Sequence, residues 1–163
     1  MKENLLSRIF IGSKTDIDQE FYDSLVFPGK KTNISLLHLT YYFFGDINES
    51  KITEIIEKMM YIKYSKINTK ITGIGGFPSN DHARIIYLSL AIDVIPFFNN
   101  LMDILNVKNK NFVPHITLYR SKNYINIKTI QLNYSVVIES VCLYQSIFDG
   151  KRQYKPLYCA EFK

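Results

Sequence analysis

The chain of 163 residues has no tryptophan and only two cysteines, Cys142 and Cys159, which stand too far apart to form a Cys-x-x-Cys pair. Such sparse, unpaired usage fits thiols kept reduced in a cytoplasm. No stretch approaches the roughly 18 consecutive apolar residues of a membrane span, and the start of the chain lacks the apolar centre of a secretion signal. The expected location is therefore cytoplasmic, with no membrane partner. A phosphate-binding P-loop is also missing, and with it the expectation of ATP use. Histidine is scarce: His38, His82 and His115 are all there are. Neither they nor the cysteines show ligand spacings such as HxxxH or CxxC, so no metal and no cofactor is expected.

What is present is globular. Hydrophobic residues make up 47% and charged residues 21% of a chain long enough for one ordinary domain or two small lobes. A formal charge of +5 and a pI near 9.1 suit an anionic partner such as RNA, although charge by itself does not identify one.

Two apolar, β-rich runs each carry a His-x-Thr triplet: Asn33–Phe44 (NISLLHLTYYFF) with His38 and Thr40, and Phe112–Arg120 (FVPHITLYR) with His115 and Thr117. In a strand, residues i and i+2 share a face. Each histidine thus projects beside its threonine, while Leu39 and Ile116 point into a core. Acid–base chemistry on a phosphodiester requires such a set. One imidazole takes a proton from the attacking oxygen and the other gives one to the departing oxygen. The threonine hydroxyls donate hydrogen bonds to the non-bridging oxygens where charge accumulates.

The pair HLTY (His38–Tyr41) and HITL (His115–Leu118) resembles the twin HxTx signature of the 2H phosphoesterases. More narrowly, the chain is similar to the RNA 2′,3′-cyclic phosphodiesterases, also called 2′-5′ RNA ligases. RIFIG near the start, LLHLTYYFFGDI, GIGGFPS at Gly73–Ser79, FVPHITLYR and RQYKPLYCAEF fall in that family's order. The resemblance implies metal-independent opening of a terminal 2′,3′-cyclic phosphate on RNA to a 2′-phosphate, with possible 2′-5′ ligation in reverse. It makes His115 the general base and His38 the general acid. The implied partner is RNA with a cyclic phosphate end, such as a tRNA fragment, bound by a monomer. Alternatives are a 2′-5′ oligoadenylate or small cyclic nucleotide phosphodiesterase of the same superfamily, or a non-catalytic RNA-binding module.

The order of elements repeats. Arg8–Ser13 reads as a strand, and Ile17, Phe21 and Leu25 as an amphipathic segment before the first HxT strand. Asp46 and Glu49 resemble a capping box for a helix whose stripe is Ile52, Ile55, Ile56, Met59 and Met60. A strand over Tyr64–Ile74 then closes at a Gly75–Pro78 turn. Arg84–Leu90, a helix starting near Pro96, and the second HxT strand restate that order, followed by a polar loop at Ser121–Lys128 and strands at Leu132–Tyr144 and Tyr154–Phe162. The predicted fold is α+β and bilobal, with two pseudo-two-fold-related lobes of antiparallel sheet, helices outside and a central cleft. One domain spans 1–163, with lobes at roughly 1–79 and 80–163 and a C-terminal strand crossing over.

Four further residues are candidate substrate contacts. Strict alternation places Arg120 on the face away from His115, leaving it either a phosphate contact from the strand end or a structural residue. Tyr42 and Tyr119 are expected to share the histidines' faces and to stack on a base or shape the wall. Tyr154, in RQYKPL, resembles a position near the family's site. His82, in the polar turn SNDHARI, reads as an exposed loop histidine.

Overall fold

The computed structural model describes residues 5–163; residues 1–4 of the expected 1–163 domain lie outside them. Nine strands are present among the described residues: β1 (Ser7–Lys14), β2 (Lys30–Lys31), β3 (His38–Ile47), β4 (Ile67–Pro78), β5 (Ala83–Leu90), β6 (His115–Ile125), β7 (Ile130–Ile138), β8 (Ser140–Phe148) and β9 (Arg152–Glu161). They form one antiparallel sheet in the order β7-β4-β5-β6-β3-β1-β8-β9, with β2 added on β6. Only Glu139 separates β7 from β8, yet β7 is at one edge of the sheet and β8 is next to the last strand at the other. A one-residue link cannot cross a flat sheet at roughly 4.8 Å per strand. The sheet is therefore strongly curled, bringing its two ends together.

Helices α1 (Gln19–Ser24), α2 (Glu49–Met59) and α3 (Ile95–Leu105) complete the α+β architecture. Asp18 caps α1 by accepting from the Phe21 amide at 2.7 Å. The cap of α2 is Asn48, whose side chain accepts from the Lys51 amide at 2.9 Å, so the Asp46–Glu49 box expected from the sequence is displaced by two residues. Pro96 occupies the first turn of α3, and Asn106 ends the helix in the left-handed region with φ 53°. Phe97 of α3, fully buried, meets Tyr41 of β3 edge-on at 5.2 Å. The face of the sheet carrying Leu39, Tyr41, Leu88, Ile116 and Leu118 thus forms the core with the helices.

Several elements differ from their sequence reading. The Gly75–Pro78 segment is no turn. It continues β4, with Gly75, Gly76 and Phe77 opposite Tyr87, Ile86 and Ile85. Glycine is needed there because a Cβ on Gly76 would lie 2.5 Å from the Ala83 Cβ. Most of the polar segment expected as a loop at Ser121–Lys128 belongs to β6, which runs to Ile125. Asn33–Leu37 is not strand: a 3₁₀ turn over Ile34–Leu36, capped by Asn33, delivers the chain to His38.

The halves of the sheet also do not coincide with a division of the chain near residue 79. β4, from the first half, pairs with β5 and β7, and both β8 and β9 lie on the β1 side. Strand exchange, rather than one crossing strand, ties the chain ends together.

Cys142 and Cys159 face each other across β8 and β9 and are disulfide-bonded. This corrects the expectation of two reduced thiols and removes the support that cysteine usage lent to a cytoplasmic location. Among the described residues, no helix is long and apolar enough to cross a membrane. The bridge closes a sequence separation of 17 residues. By loop-closure entropy, Cys142→Ser with Cys159→Ser is expected to lower unfolding stability by about 3 kcal/mol, read from urea midpoints with and without reductant.

Candidate active site

The two HxT strands meet at a single pair, Leu39 opposite Ile116. Because β3 and β6 are antiparallel, this contact sets the triplets diagonally: His38 lies toward the Thr117 end and Thr40 toward the His115 end. Leu39 and Ile116 point into the core, at 0% and 1% exposure, so the neighbouring histidines and threonines project to the open face. Beyond the bridge the strands part, and a cleft opens between them.

Each imidazole is held in the same way. His38 Nδ1 lies 2.7 Å from the Leu36 carbonyl, and His115 Nδ1 lies 2.6 Å from the Val113 carbonyl. A carbonyl can only accept, so Nδ1–H donates in each ring and the neutral tautomer leaves Nε2 with its lone pair. Aromatic rings fix both orientations. Phe10 and Tyr154 sit 5.0 and 4.9 Å from His38, while Phe77 and Tyr87 sit 5.0 and 5.3 Å from His115. Gly12 faces Thr40 across β1, where a Cβ would lie 2.5 Å from the Leu39 carbonyl oxygen. Glycine here lets β1 close against the motif strand.

The residue after each HxT is a bulge. Ile11 pairs with Tyr42 and Gly12 with Thr40, skipping Tyr41; Ile86 pairs with Tyr119 and Tyr87 with Thr117, skipping Leu118. A bulge reverses the strand's alternation beyond it. Tyr119 consequently turns into the core at 5% exposure and donates its hydroxyl to the Leu25 carbonyl at 3.0 Å. Tyr42 packs on the core beside Phe44, ring to ring at 4.9 Å. Neither tyrosine shares the histidines' face, contrary to strict alternation. Arg120 and Phe43 take that face instead. The Arg120 charge acts on His38, and Phe43, 63% exposed, contacts Phe10 at 5.8 Å. Phe43 went unnoticed in the sequence because only the paired bulges reveal that it occupies the place Arg120 holds in the second motif. Tyr154 lies edge-on to His38 at 4.9 Å, on the wall of the cavity beside it. His82 stays apart, 5.8 Å from Tyr124, in an exposed turn.

The surroundings of His38 disfavour its charged form. Burial lowers the pKa of His38 below 6.5; its bond to the Leu36 carbonyl opposes this, and the charges of His115 and Arg120 add to the lowering. Among the described residues, no three His, Cys, Asp or Glu side chains gather as a metal-binding cluster.

Comparison with known proteins agrees with this construction. Residues 26–87 match the model of the LigT-like phosphoesterases. An RNA 2′,3′-cyclic phosphodiesterase of Aquifex aeolicus is 31% identical over 107 residues, covering 59% of this chain and 57% of that protein. The chain thus spans little more than half of that relative's length. An Aeropyrum pernix protein of the same name is 26% identical over 150 residues, covering 80% of this chain and 85% of that one. The crystal structure of apo LigT from E. coli superposes with a TM-score of 0.77 at 23% identity, covering 97% and 98% of the two chains. The curled, bilobal sheet is therefore the 2H phosphoesterase fold. Residues 26–87 are thus similar to the LigT-like phosphoesterases, and the fold over nearly the whole chain is that of LigT.

His38 makes stability pH-dependent in a defined direction. Its folded pKa lies below the unfolded value, so the unfolded chain binds more protons between the two. The corresponding stability is complete above about pH 6.5 and is lost as pH falls through the folded pKa. Urea midpoints measured at about pH 7.5 and about pH 5 should separate more widely for wild type than for His38→Asn.

Proposed function

We propose that this chain hydrolyses the 2′,3′-cyclic phosphate at the end of an RNA to a 2′-phosphate, without a metal ion. The observation that supports this most directly is the pair of imidazoles on either side of the Leu39–Ile116 bridge. Each is tethered through Nδ1 and has Nε2 left for proton transfer. Displacement at phosphorus needs a base and an acid on opposite sides of the reacting atom, and the antiparallel bridge provides two such positions.

In the forward direction, His115 Nε2 accepts a proton from water as its oxygen bonds to phosphorus. The bond from phosphorus to the ribose O3′ breaks, and protonated His38 gives its proton to that oxygen. Water is thereby added across one P–O bond and the 2′-phosphate remains. Thr40 and Thr117 donate hydrogen bonds to the non-bridging oxygens, and the Arg120 guanidinium stabilises their charge. The departing O3′ stays attached to its ribose, so the nucleoside occupies the His38 side, where Phe43 and Tyr154 offer aromatic surface. With the 5′-hydroxyl of a second strand in place of water, the same steps join two RNA ends through a 2′-5′ bond. Cleavage of that bond exchanges the roles of the histidines. The substrates so defined are RNA ends such as tRNA fragments, acted on by a monomer of one domain.

An RNA ending in a 2′,3′-cyclic phosphate, incubated in excess EDTA, tests this directly. Wild type should convert it to an RNA ending in a 2′-phosphate at an unchanged rate. His38→Ala and His115→Ala should each lower kcat by about 10²- to 10⁴-fold, and Thr40→Val or Thr117→Val by about 10²-fold. Loss of turnover in EDTA would overturn the two-histidine mechanism. No turnover by folded wild type, with RNA binding that survives both histidine changes, would favour a binding module, and selective cleavage of 2′-5′ oligoadenylate a different specificity.

The pH profile of kcat/KM should be bell-shaped. Activity requires one imidazole charged and the other neutral, and the inflections belong to the coupled pair. Burial of His38 disfavours its charged form and so draws the pair's titration toward lower pH. A rate rising steadily through about pH 9 would contradict acid–base catalysis by histidine.

A further inference from the structure

A cavity of about 240 Å³ opens beside His38, lined by Lys14, Ser35, Leu36, Leu37, Tyr144, Tyr154 and Pro156. Lys14 pairs directly with His38 across β1 and β3, so the two side chains leave the sheet on the same face, roughly 4.8 Å apart at their strands. Ser89 holds the corresponding place beside His115, so the cation belongs to one side of the site only. Its partner Asp16 lies 3.6 Å away with both side chains largely in water, an arrangement that leaves the ammonium free to exchange onto a ligand. The hydroxyls of Ser35, Tyr144 and Tyr154 are the other polar side-chain groups on the walls.

We propose that this cavity is a subsite for the phosphate on the 5′ side of the reacting nucleotide, with Lys14 as its cationic contact. The inference rests on the reaction given above, which puts the nucleoside on the His38 side. A nucleotide seated there continues, away from phosphorus, through its 5′ oxygen. The cavity carrying the lone cation lies on that side, next to the aromatic rings that receive the nucleoside. The substrate class is thereby narrowed to 5′-phosphorylated nucleotides or longer RNA ending in a cyclic phosphate, in preference to free nucleoside 2′,3′-cyclic phosphates.

The test compares kcat/KM for adenosine 2′,3′-cyclic phosphate, its 5′-phosphorylated form and a dinucleotide ending in the same group. Wild type should prefer the second and third by about tenfold, the effect of one charge-assisted contact. In Lys14→Gln that ratio should fall to within about twofold, and Lys14→Arg should retain most of it. A ratio near one in wild type, or one unchanged in Lys14→Gln, overturns the proposal. Should wild type open no cyclic phosphate, the reaction itself is wrong, and the subsite is then tested by titrating adenosine 2′-phosphate and adenosine 2′,5′-bisphosphate. A tenfold difference in Kd that disappears in Lys14→Gln supports the subsite, and equal affinities refute it.

Discussion

The structure depends on one narrow junction. The two motif strands pair at a single position, Leu39 opposite Ile116, and every candidate catalytic group is placed by that contact. Burying each of these side chains is worth about 1.5–3 kcal/mol, so the register is held from behind by the core. A one-residue slip would turn the histidines inward and the leucine and isoleucine outward. The hydrophobic pattern that folds the sheet and the geometry of the site are thus one constraint. Because the strands separate immediately beyond the bridge, the same contact also creates the cleft.

The bulges at Tyr41 and Leu118 are a second device built on the first. They let two adjacent residues of each motif strand face the core, which anchors the strand while it bends. They also return the alternation so that Phe43 and Arg120 emerge beside the histidines. One half of the cleft thereby acquires an aromatic surface and the other a guanidinium.

Near-symmetric backbones carry unlike surroundings. Both imidazoles make the same bond to the carbonyl two residues earlier, yet His38 is enclosed by Phe10, Tyr154 and the cavity beside Lys14, whereas Phe77 and Tyr87 flank His115. β8 and β9, joined by the Cys142–Cys159 disulfide, supply Tyr144 and Tyr154 to the His38 side only. The two sides of the cleft are thus chemically unlike, although the strands that form them are alike.

The sequence by itself determined the period-two pattern of the HxT strands, hence the shared face of His38 with Thr40 and of His115 with Thr117. It also determined the stripe of α3 and most of that of α2, from which Met60 departs at 59% exposure just past the helix end, because these patterns express local geometry and the partition of apolar side chains from water. The tertiary structure decided which strands neighbour one another, that β4 and β8 exchange sides, and that Gly75–Pro78 extends a strand. It also decided that Cys142 meets Cys159. The faces of Tyr42, Tyr119 and Arg120 could not be read from alternation, since a bulge exists only in the pairing of two strands. Side-chain alternation belongs to a single strand, but register and burial are properties of a strand and its neighbours.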